Sequence, residues 1–419
     1  NTWNGLYSTL KSARIIINQC SEGGIDYGNF ATKGMAEVLA AYNCALIADM
    51  FGDAPCSQAA LVDENGSPVY LTPKMDKQEE IYTQAMQYLD DAIADLQKED
   101  LIDPGAQDLL YQGDAEKWLK LAYGLKARYT MHLLKRSANK DADMEKVLEY
   151  VDNSFESAEE QAAFDVYDAN NINPLYGFFV ARAGLGASES MRSKLAEYND
   201  PRLSRAFITK QGASGKEQAP GTADNAVYAP NGSPEQGTSK YGTSLFMYSI
   251  SAPTLLLSYH ELKFLEAEAL CRLGRDAKSA LKDAVVAGLL NAESSFSVSR
   301  KELGKTLINP ASSITDTEAE SYFDNTVEAK YTAEPLKTTM TQKYFALWGA
   351  SGEATESYND VRRMKGLGEN FIELKNPNSF PLRCPYGNSD TTTNAEVKAA
   401  YGNGQYVYSE NVWWAGGSR

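Results

Sequence analysis

Histidine is almost missing from this 419-residue chain, and with it most familiar catalytic chemistry. The two present, His132 and His260, fall in separate helical stretches. Neither has a second histidine four residues on, so no helical zinc site is encoded. No G-x-S-x-G elbow, P-loop or G-x-G-x-x-G occurs. Gly304-Lys305-Thr306 ends like a P-loop but lacks the upstream glycine, and it reads as a turn. The five cysteines, Cys20, Cys44, Cys56, Cys271 and Cys384, form no Cys-x-x-Cys pair. Their odd count and scattered spacing describe neither a zinc site nor a disulfide framework, and they leave the compartment open.

Positive charge is also in deficit: 40 Lys and Arg stand against 56 Asp and Glu, a formal net charge of -16. Such a chain does not favour a polyanion, so nucleic acid is excluded as an expected partner. No run of about 18 uninterrupted apolar residues exists, so no membrane-spanning helix is expected. The opening Asn1-Thr2-Trp3-Asn4 has no basic or apolar leader character. The expectation from this opening is that a signal peptide is absent or was removed with part of the N-terminus.

Hydrophobic residues make up 43% of the chain and charged residues 23%. These values describe a globular protein with room for one large domain or two to three ordinary ones. Tyrosine is abundant, 25 against 14 Phe. A ring with a hydroxyl suits half-wet surfaces, so the excess fits either loop packing or an aromatic binding surface.

The strongest periodicity is helical. Met35, Val38, Leu39, Tyr42, Ala45, Leu46 and Met50 form one stripe over 31–51, ending at Phe51-Gly52-Asp53-Ala54-Pro55. Residues 76–97 repeat the pattern, with Asp76 and Glu79 as a capping box. Residues 114–136 follow, with Asp114 as N-cap. A helix is expected over 253–273, with Pro253 in its first turn and Gly274 at its stop. Others are expected over 3–20, 143–152, 275–291, 333–349 and 353–364. Successive helices pair as 3–20 with 31–51, 76–97 with 114–136, and 253–273 with 275–291. Helical hairpins in series predict a mostly α fold of tetratricopeptide-like pairs. Long irregular tracts, 153–252 and 365–419, are rich in Gly, Pro, Asn, Ser and Tyr, and tracts of this length carry function or disorder. Their persistent aromatics argue for order. Only 226–229 and 405–408 suggest brief strands.

Acidic pairs such as Asp90-Asp91, Glu159-Glu160 and Glu266 with Glu268 read as solvated surface in an acidic protein. Glycosidases need only two carboxylates, but nothing selects such a pair here.

Several segments, in order, resemble the SusD/RagB family of Bacteroidetes outer-membrane lipoproteins, in its shorter SusD-like branch. They are Phe51-Gly52-Asp53-Ala54-Pro55; KQEEIYTQAMQYLDDAIADL (77–96); DAEKWLKLAYGLKARYTMHL (114–133); Asn173-Pro174-Leu175-Tyr176; and Asp200-Pro201-Arg202-Leu203. YHELKFLEAEALCRLG (259–274) is the most specific, at Glu261, Phe264, Leu265, Ala267, Glu268, Ala269 and Gly274. VRRMKG (361–366), PLRCPY (381–386), Asn394 and Trp413-Trp414 complete the series, which spans about 400 residues.

The resemblance implies a single SusD-like domain over 1–419, with a helical scaffold at 1–152 and 253–364. The insertions 153–252 and 365–419 fold against it and face the ligand. It implies a cell-surface glycan-binding protein, not an enzyme, that hands nutrient to a SusC-type TonB-dependent transporter. It implies an outer-membrane location through an N-terminal lipid whose Cys lies outside this sequence. No catalytic residue, metal or cofactor is expected. A peptide or another nutrient is the alternative ligand, and a glycoside hydrolase is a distant third reading. Glu261, Glu268 and the Arg362-Arg363 pair are expected to hold structure together, as is the Trp413-Trp414 tail.

Sugar capture needs flat rings against pyranose C–H faces and polar groups for the hydroxyls. The expected contacts are Tyr167, Asn171, Tyr176, Phe178 and Phe179 in the tract 167–182, where Asn170 also lies. Tyr241 and Tyr248 lie in a second tract, 241–248, beside Phe246, and Tyr70 lies on the loop after FGDAP.

Overall fold

The computed structural model describes residues 2–168, 170–181, 185–211, 217–222, 225–232, 241–401 and 406–418. Contacts divide the chain into two units. Unit 1 is Asn1–Glu156 with Asn359–Glu369 and Ser379–Arg419, and unit 2 is Ser157–Tyr358 with Asn370–Asn378.

Unit 1 opens with α1 (Thr2–Cys20), α2 (Phe30–Phe51), α3 (Gln78–Asp95), α4 (Ala115–His132) and α5 (Lys140–Asp152). The expected pairs form, α1 against α2 and α3 against α4, and α2 also packs along α3. The alanines of α2 explain its central place, because small side chains let two neighbours approach. Ala40, Ala41, Ala45 and Ala48 are wholly enclosed. By length and composition α2 is apolar enough to cross a membrane, although no unbroken apolar run marks it. In this fold 78% of that stretch is buried among neighbouring helices, as a core helix requires. Leu89 on α3 is fully enclosed, a burial that stabilises by about 2 kcal/mol.

The α2 stop is built on Gly52 and Asp53. Gly52 has φ +77°, open chiefly to glycine, though its ψ of -129° is not the left-handed helical value; its N–H donates to the Ala48 carbonyl at 2.8 Å. Asp53 caps the next helix: its Oδ1 accepts the Gln78 N–H at 2.8 Å. The capping box at α3 lies one residue later than the spacing predicts. Glu80 Oε2, not Glu79, accepts the backbone N–H of Lys77 at 3.0 Å. Asp76 is drawn away to accept from the Cys56 and Ser57 N–H groups at 2.8 and 2.7 Å. Asp114 caps α4 as expected, accepting from Glu116 and Lys117 at 3.1 and 3.2 Å.

The C-terminal tail is anchored in unit 1. Trp414 is fully buried and its ring stacks on His132 at 5.7 Å, while its main-chain N–H donates to Gln78 Oε1 at 2.9 Å. Arg362 lies 4.8 Å over the Trp414 ring, and Arg363 pairs with Asp360 at 2.7 Å. Both arginines and Trp414 thus hold structure, as their motif positions suggested.

Unit 2 holds α6 (Pro174–Ala181), α7 (Glu189–Glu197), α8 (Tyr259–Arg272), α9 (Lys278–Leu303), α10 (Asp316–Tyr322), α11 (Glu328–Ala333) and α12 (Pro335–Ala346). The α8–α9 pair forms as expected and α12 packs on both. Phe264, Leu281, Leu289, Phe296 and Phe323 form its core. At Gly288 a Cβ would meet the Ala346 Cβ at 2.9 Å, so α9 and α12 approach closely only because that residue is glycine.

The tract 153–252 carries more regular structure than its composition suggests. Strands β1 (Ala162–Phe164), β2 (Phe207–Gln211), β3 (Glu217–Pro220), β4 (Thr243–Ser244) and β5 (Thr254–Leu257) build an antiparallel β1–β5 pair and a three-stranded sheet of order β3-β2-β4. β5 corrects the helix expected from Pro253. Thr254–Leu257 pairs with β1, and α8 starts after Ser258, whose hydroxyl accepts the Glu261 N–H at 3.0 Å. The brief strands at 226–229 and 405–408 do not form as such. Ala229 makes one isolated bridge to Ser188. Val407 lies in a turn and accepts from Leu382 N–H at 2.7 Å; residue 405 lies outside the described residues.

Candidate functional site

The expected ring-bearing residues lie in several places. Tyr70 is in unit 1, 44% exposed, at a depression of about 460 Å³ that it shares with Trp3 and Tyr7. Tyr167 is half-buried: its hydroxyl is 2.5 Å from Thr254 Oγ1, and its ring meets Phe164 edge-on at 5.2 Å. Asn171 is exposed, but its amide donates to the Val166 carbonyl at 2.9 Å. With Asn170 it caps Asp168, whose carboxyl is held below the usual range by the Asn171 and Asn170 N–H groups.

Asn173 explains why the aromatic tract becomes helical. Its Oδ1 accepts the Leu175 N–H at 2.8 Å and its amide donates to the Ala252 carbonyl at 2.7 Å, starting α6 at Pro174. That helix presents Phe178, 53% exposed, and half-buried Tyr176 and Phe179. Burial raises the Tyr176 hydroxyl above its ordinary pKa, and the neighbouring Glu302 adds to it.

Phe179, Tyr241 and Tyr248 do come together. Phe179 meets Tyr248 at 5.0 Å, and the Gln218 amide donates to the Tyr248 hydroxyl at 3.1 Å. The hollow they line with Thr209 and Lys210 holds about 140 Å³. Ligand clefts run to several hundred Å³. Tyr241 and Phe246 are buried, and serve the core of unit 2 more than its surface.

A larger cleft, about 880 Å³, lies in unit 2 between α7, α12 and the segment 370–377. Three rings line it: half-buried Phe371, and Tyr198 and Phe345, which are buried in the core of unit 2 and meet edge-on at 5.3 Å. Around the rings stand Ser193, Glu197, Asn231, Thr341 and Asn370. Lys194 enters from α7 and donates to Ser190 Oγ at 2.7 Å. Burial pushes its pKa down, and Lys375 adds to that while Glu373 and Glu197 oppose it. Burial raises the Tyr198 hydroxyl. α7 is set in place by Ser188, which caps it through Met191 N–H at 3.3 Å and reaches Asn231 Oδ1 at 3.1 Å. The arrangement offers the half-buried Phe371 ring beside hydroxyl, amide and carboxylate partners. The sequence singled out none of these residues. The segment FIELKNPN (371–378) does lie in an irregular tract expected to face ligand, and its Phe371 was the available signal.

The carboxylates of the family-like helix are structural. Glu268 pairs with Arg272 at 2.7 Å, and Glu261 lies 4.0 Å from Lys343. Asp200 caps its own turn and binds Arg202 bidentately at 2.8 and 2.6 Å. Glu353 accepts the Ser258 N–H at 2.7 Å.

The family profile described as "starch-binding associating with outer membrane", of the SusD-like type, matches residues 1–386. The chain belongs to the SusD/RagB family. A SusD/RagB family protein from Bacteroides thetaiotaomicron VPI-5482 is 67% identical, with TM-score 0.95 over all of this chain and 88% of its own. A chitin-binding SusD homolog from Flavobacterium johnsoniae is 20% identical, with TM-score 0.69 over 99% of this chain and 86% of its own. An outer-membrane protein from Bacteroides vulgatus, described as involved in nutrient binding, is 20% identical, with TM-score 0.73 over 98% and 89%. No curated protein matches the chain. The family is one of binding proteins, not enzymes, and its description is of starch binding in association with the outer membrane.

Proposed function

We propose that this protein captures an oligosaccharide at the cell surface and passes it to a SusC-type TonB-dependent transporter, held at the membrane by an N-terminal lipid. The observation that carries the glycan reading is the 880 Å³ cleft of unit 2, where the half-buried Phe371 ring stands among hydroxyl, amide and carboxylate groups. Rings supply contact area for sugar C–H faces, and the polar rim satisfies hydroxyls that would otherwise lose their water partners. Chitin binding by structural relatives of the same fold supports a polysaccharide ligand. Of the residues expected from sequence, Tyr176 and Phe178 keep exposed ring surface and form a second proposed contact. The exposed Val69, Tyr70 and Leu71 on the loop after α2 supply an apolar surface suited to the transporter.

Few rings engage at once, so affinity for a free oligosaccharide is about micromolar or weaker. Calorimetry against starch-, chitin- and mucin-derived oligosaccharides tests this. Phe371→Ala is expected to weaken binding about tenfold, or about 1.4 kcal/mol, with the circular dichroism spectrum unchanged. Phe178→Ala is expected to cost about twofold, on longer chains only. Absence of binding across the panel, with a peptide library retained instead, overturns the glycan reading. Wild-type affinity in Phe371→Ala overturns the site.

A further inference from the structure

Cys44 lies on α2 and Cys56 on the segment that leaves it, twelve residues on, and their Sγ atoms are 3.3 Å apart. Both side chains are completely enclosed. Among the described residues this is the one place where two sulfurs come within hydrogen-bonding distance. The glycan reading uses neither.

We propose that Cys44 and Cys56 are joined by a disulfide in the mature protein. The backbone of Cys56 is clamped independently of its sulfur. Its N–H donates to Asp76 Oδ2 at 2.8 Å, and its carbonyl accepts from Arg14 Nη1 at 2.8 Å. Two residues back, Ala54 and Asp76 exchange both backbone hydrogen bonds at 3.1 Å. The clamp holds the Cys56 backbone beside α2 and leaves its Sγ 3.3 Å from that of Cys44, against a disulfide bond of about 2.05 Å.

Both thiols are enclosed in the folded chain, so the bond forms before the segment closes in folding. The thiolate of one cysteine attacks one sulfur of a disulfide donor, such as oxidised glutathione or an oxidase dithiol–disulfide. That forms a mixed disulfide and releases one donor thiolate. The thiolate of the other cysteine then attacks the protein sulfur of the mixed disulfide and releases the second. Two S–H bonds are lost and one S–S bond forms. The two protons and two electrons leave with the donor, now reduced to two thiols. An outer-membrane protein meets the oxidising conditions in which such a bond persists.

The test is a thiol count on this chain after refolding in a glutathione redox buffer, with alkylation in denaturant and peptide mass mapping. Three alkylated cysteines are expected, Cys20, Cys271 and Cys384, rising to five after reduction. Lys33 and Lys74 bracket a tryptic peptide that contains both Cys44 and Cys56. Before reduction that peptide is expected unalkylated and lighter by the mass of two hydrogens. Reductant is expected to lower the thermal midpoint of the wild type by about 3–6 °C and to leave Cys44→Ala unmoved. Five alkylated cysteines after oxidative refolding, or a link to Cys20, Cys271 or Cys384, overturns the proposal. The wild-type count decides the matter even if the variant does not fold.

Discussion

The hydroxyl of Tyr386 donates to the main-chain carbonyl oxygen of Asp53 at 2.6 Å. The same hydroxyl lies 3.0 Å from the carbonyl of Phe51 and 2.9 Å from Arg383 Nη2. Cys384 N–H adds a bond to the Met50 carbonyl at 2.7 Å. Two motifs more than 300 residues apart, FGDAP and PLRCPY, are therefore halves of one joint. The last carbonyls of a helix have no partner within it, and the second motif supplies partners to those of α2. The abrupt stop after so apolar a helix is a docking point for the returning C-terminal chain.

Tyr386→Phe removes one hydroxyl and leaves the ring, which contacts Trp3 at 5.7 Å and Phe51 at 6.3 Å. The buried Asp53 carbonyl then loses its donor. The expected cost is about 1–3 kcal/mol, read as a lower urea midpoint at unchanged slope. Glycan affinity is expected to stay at the wild-type value, because the joint lies in unit 1 and the proposed cleft in unit 2.

Which features the sequence discloses follows from how local their causes are. The stripe Met35, Val38, Tyr42, Ala45 marks α2 because three- and four-residue spacing is itself the helix. Asp114 announces α4 because a cap acts across three residues. Thr254-Leu255-Leu256-Leu257 misleads, since a short apolar run has no period that separates strand from helix. Its partner strand lies some ninety residues earlier, at Ala162–Phe164. The candidate cleft is harder still. Tyr198, Asn231, Phe345 and Phe371 meet only after α7, α12 and the 370–377 segment are assembled. Conversely, Tyr241 looks like a loop ring in sequence, yet Gly186 lets its backbone neighbourhood close and the ring is buried.

His260 should make unit 2 sensitive to acid. The ring is fully buried, and burial lowers its pKa from 6.5 to about 4; Glu261 opposes that shift, while Arg202 and Lys343 reinforce it. Glu353 Oε2 stands 3.5 Å from Nε2 and favours the imidazolium, but the desolvation of the enclosed ring outweighs it. The unfolded chain takes up a proton near pH 6.5, and the folded one does not until about pH 4. The unfolded state binds more protons in between, so this contribution is present above pH 6.5 and lost as pH falls toward 4. A difference of that size amounts to about 3 kcal/mol. His260→Gln is expected to lose stability at pH 7 and to narrow its deficit by about that amount at pH 4, in paired urea titrations. A deficit independent of pH sinks this assignment.

Glu37 carries the opposite sign. It lies on α2, 2% exposed, and its Oε2 has no hydrogen-bond partner among the described residues. Burial raises its pKa from 4.5 to about 7, against the pull of Lys33 at 3.2 Å and with the help of Asp95. The folded state therefore holds a proton that the unfolded state has released, between pH 4.5 and 7. The stabilising share is complete below pH 4.5 and gone above pH 7, where a buried carboxylate must be tolerated. Lys33 keeps a partner without it, since Asp95 Oδ2 lies at 2.6 Å. Glu37→Gln should consequently match the wild type at pH 4.5 and exceed it by about 2 kcal/mol at pH 8, the full shift being discounted for the nearby ammonium and solvent. Urea midpoints of the two proteins at those two pH values give the comparison directly. A glutamine variant less stable at pH 8 would mean that the Lys33–Glu37 pair outweighs the cost of enclosing its charge.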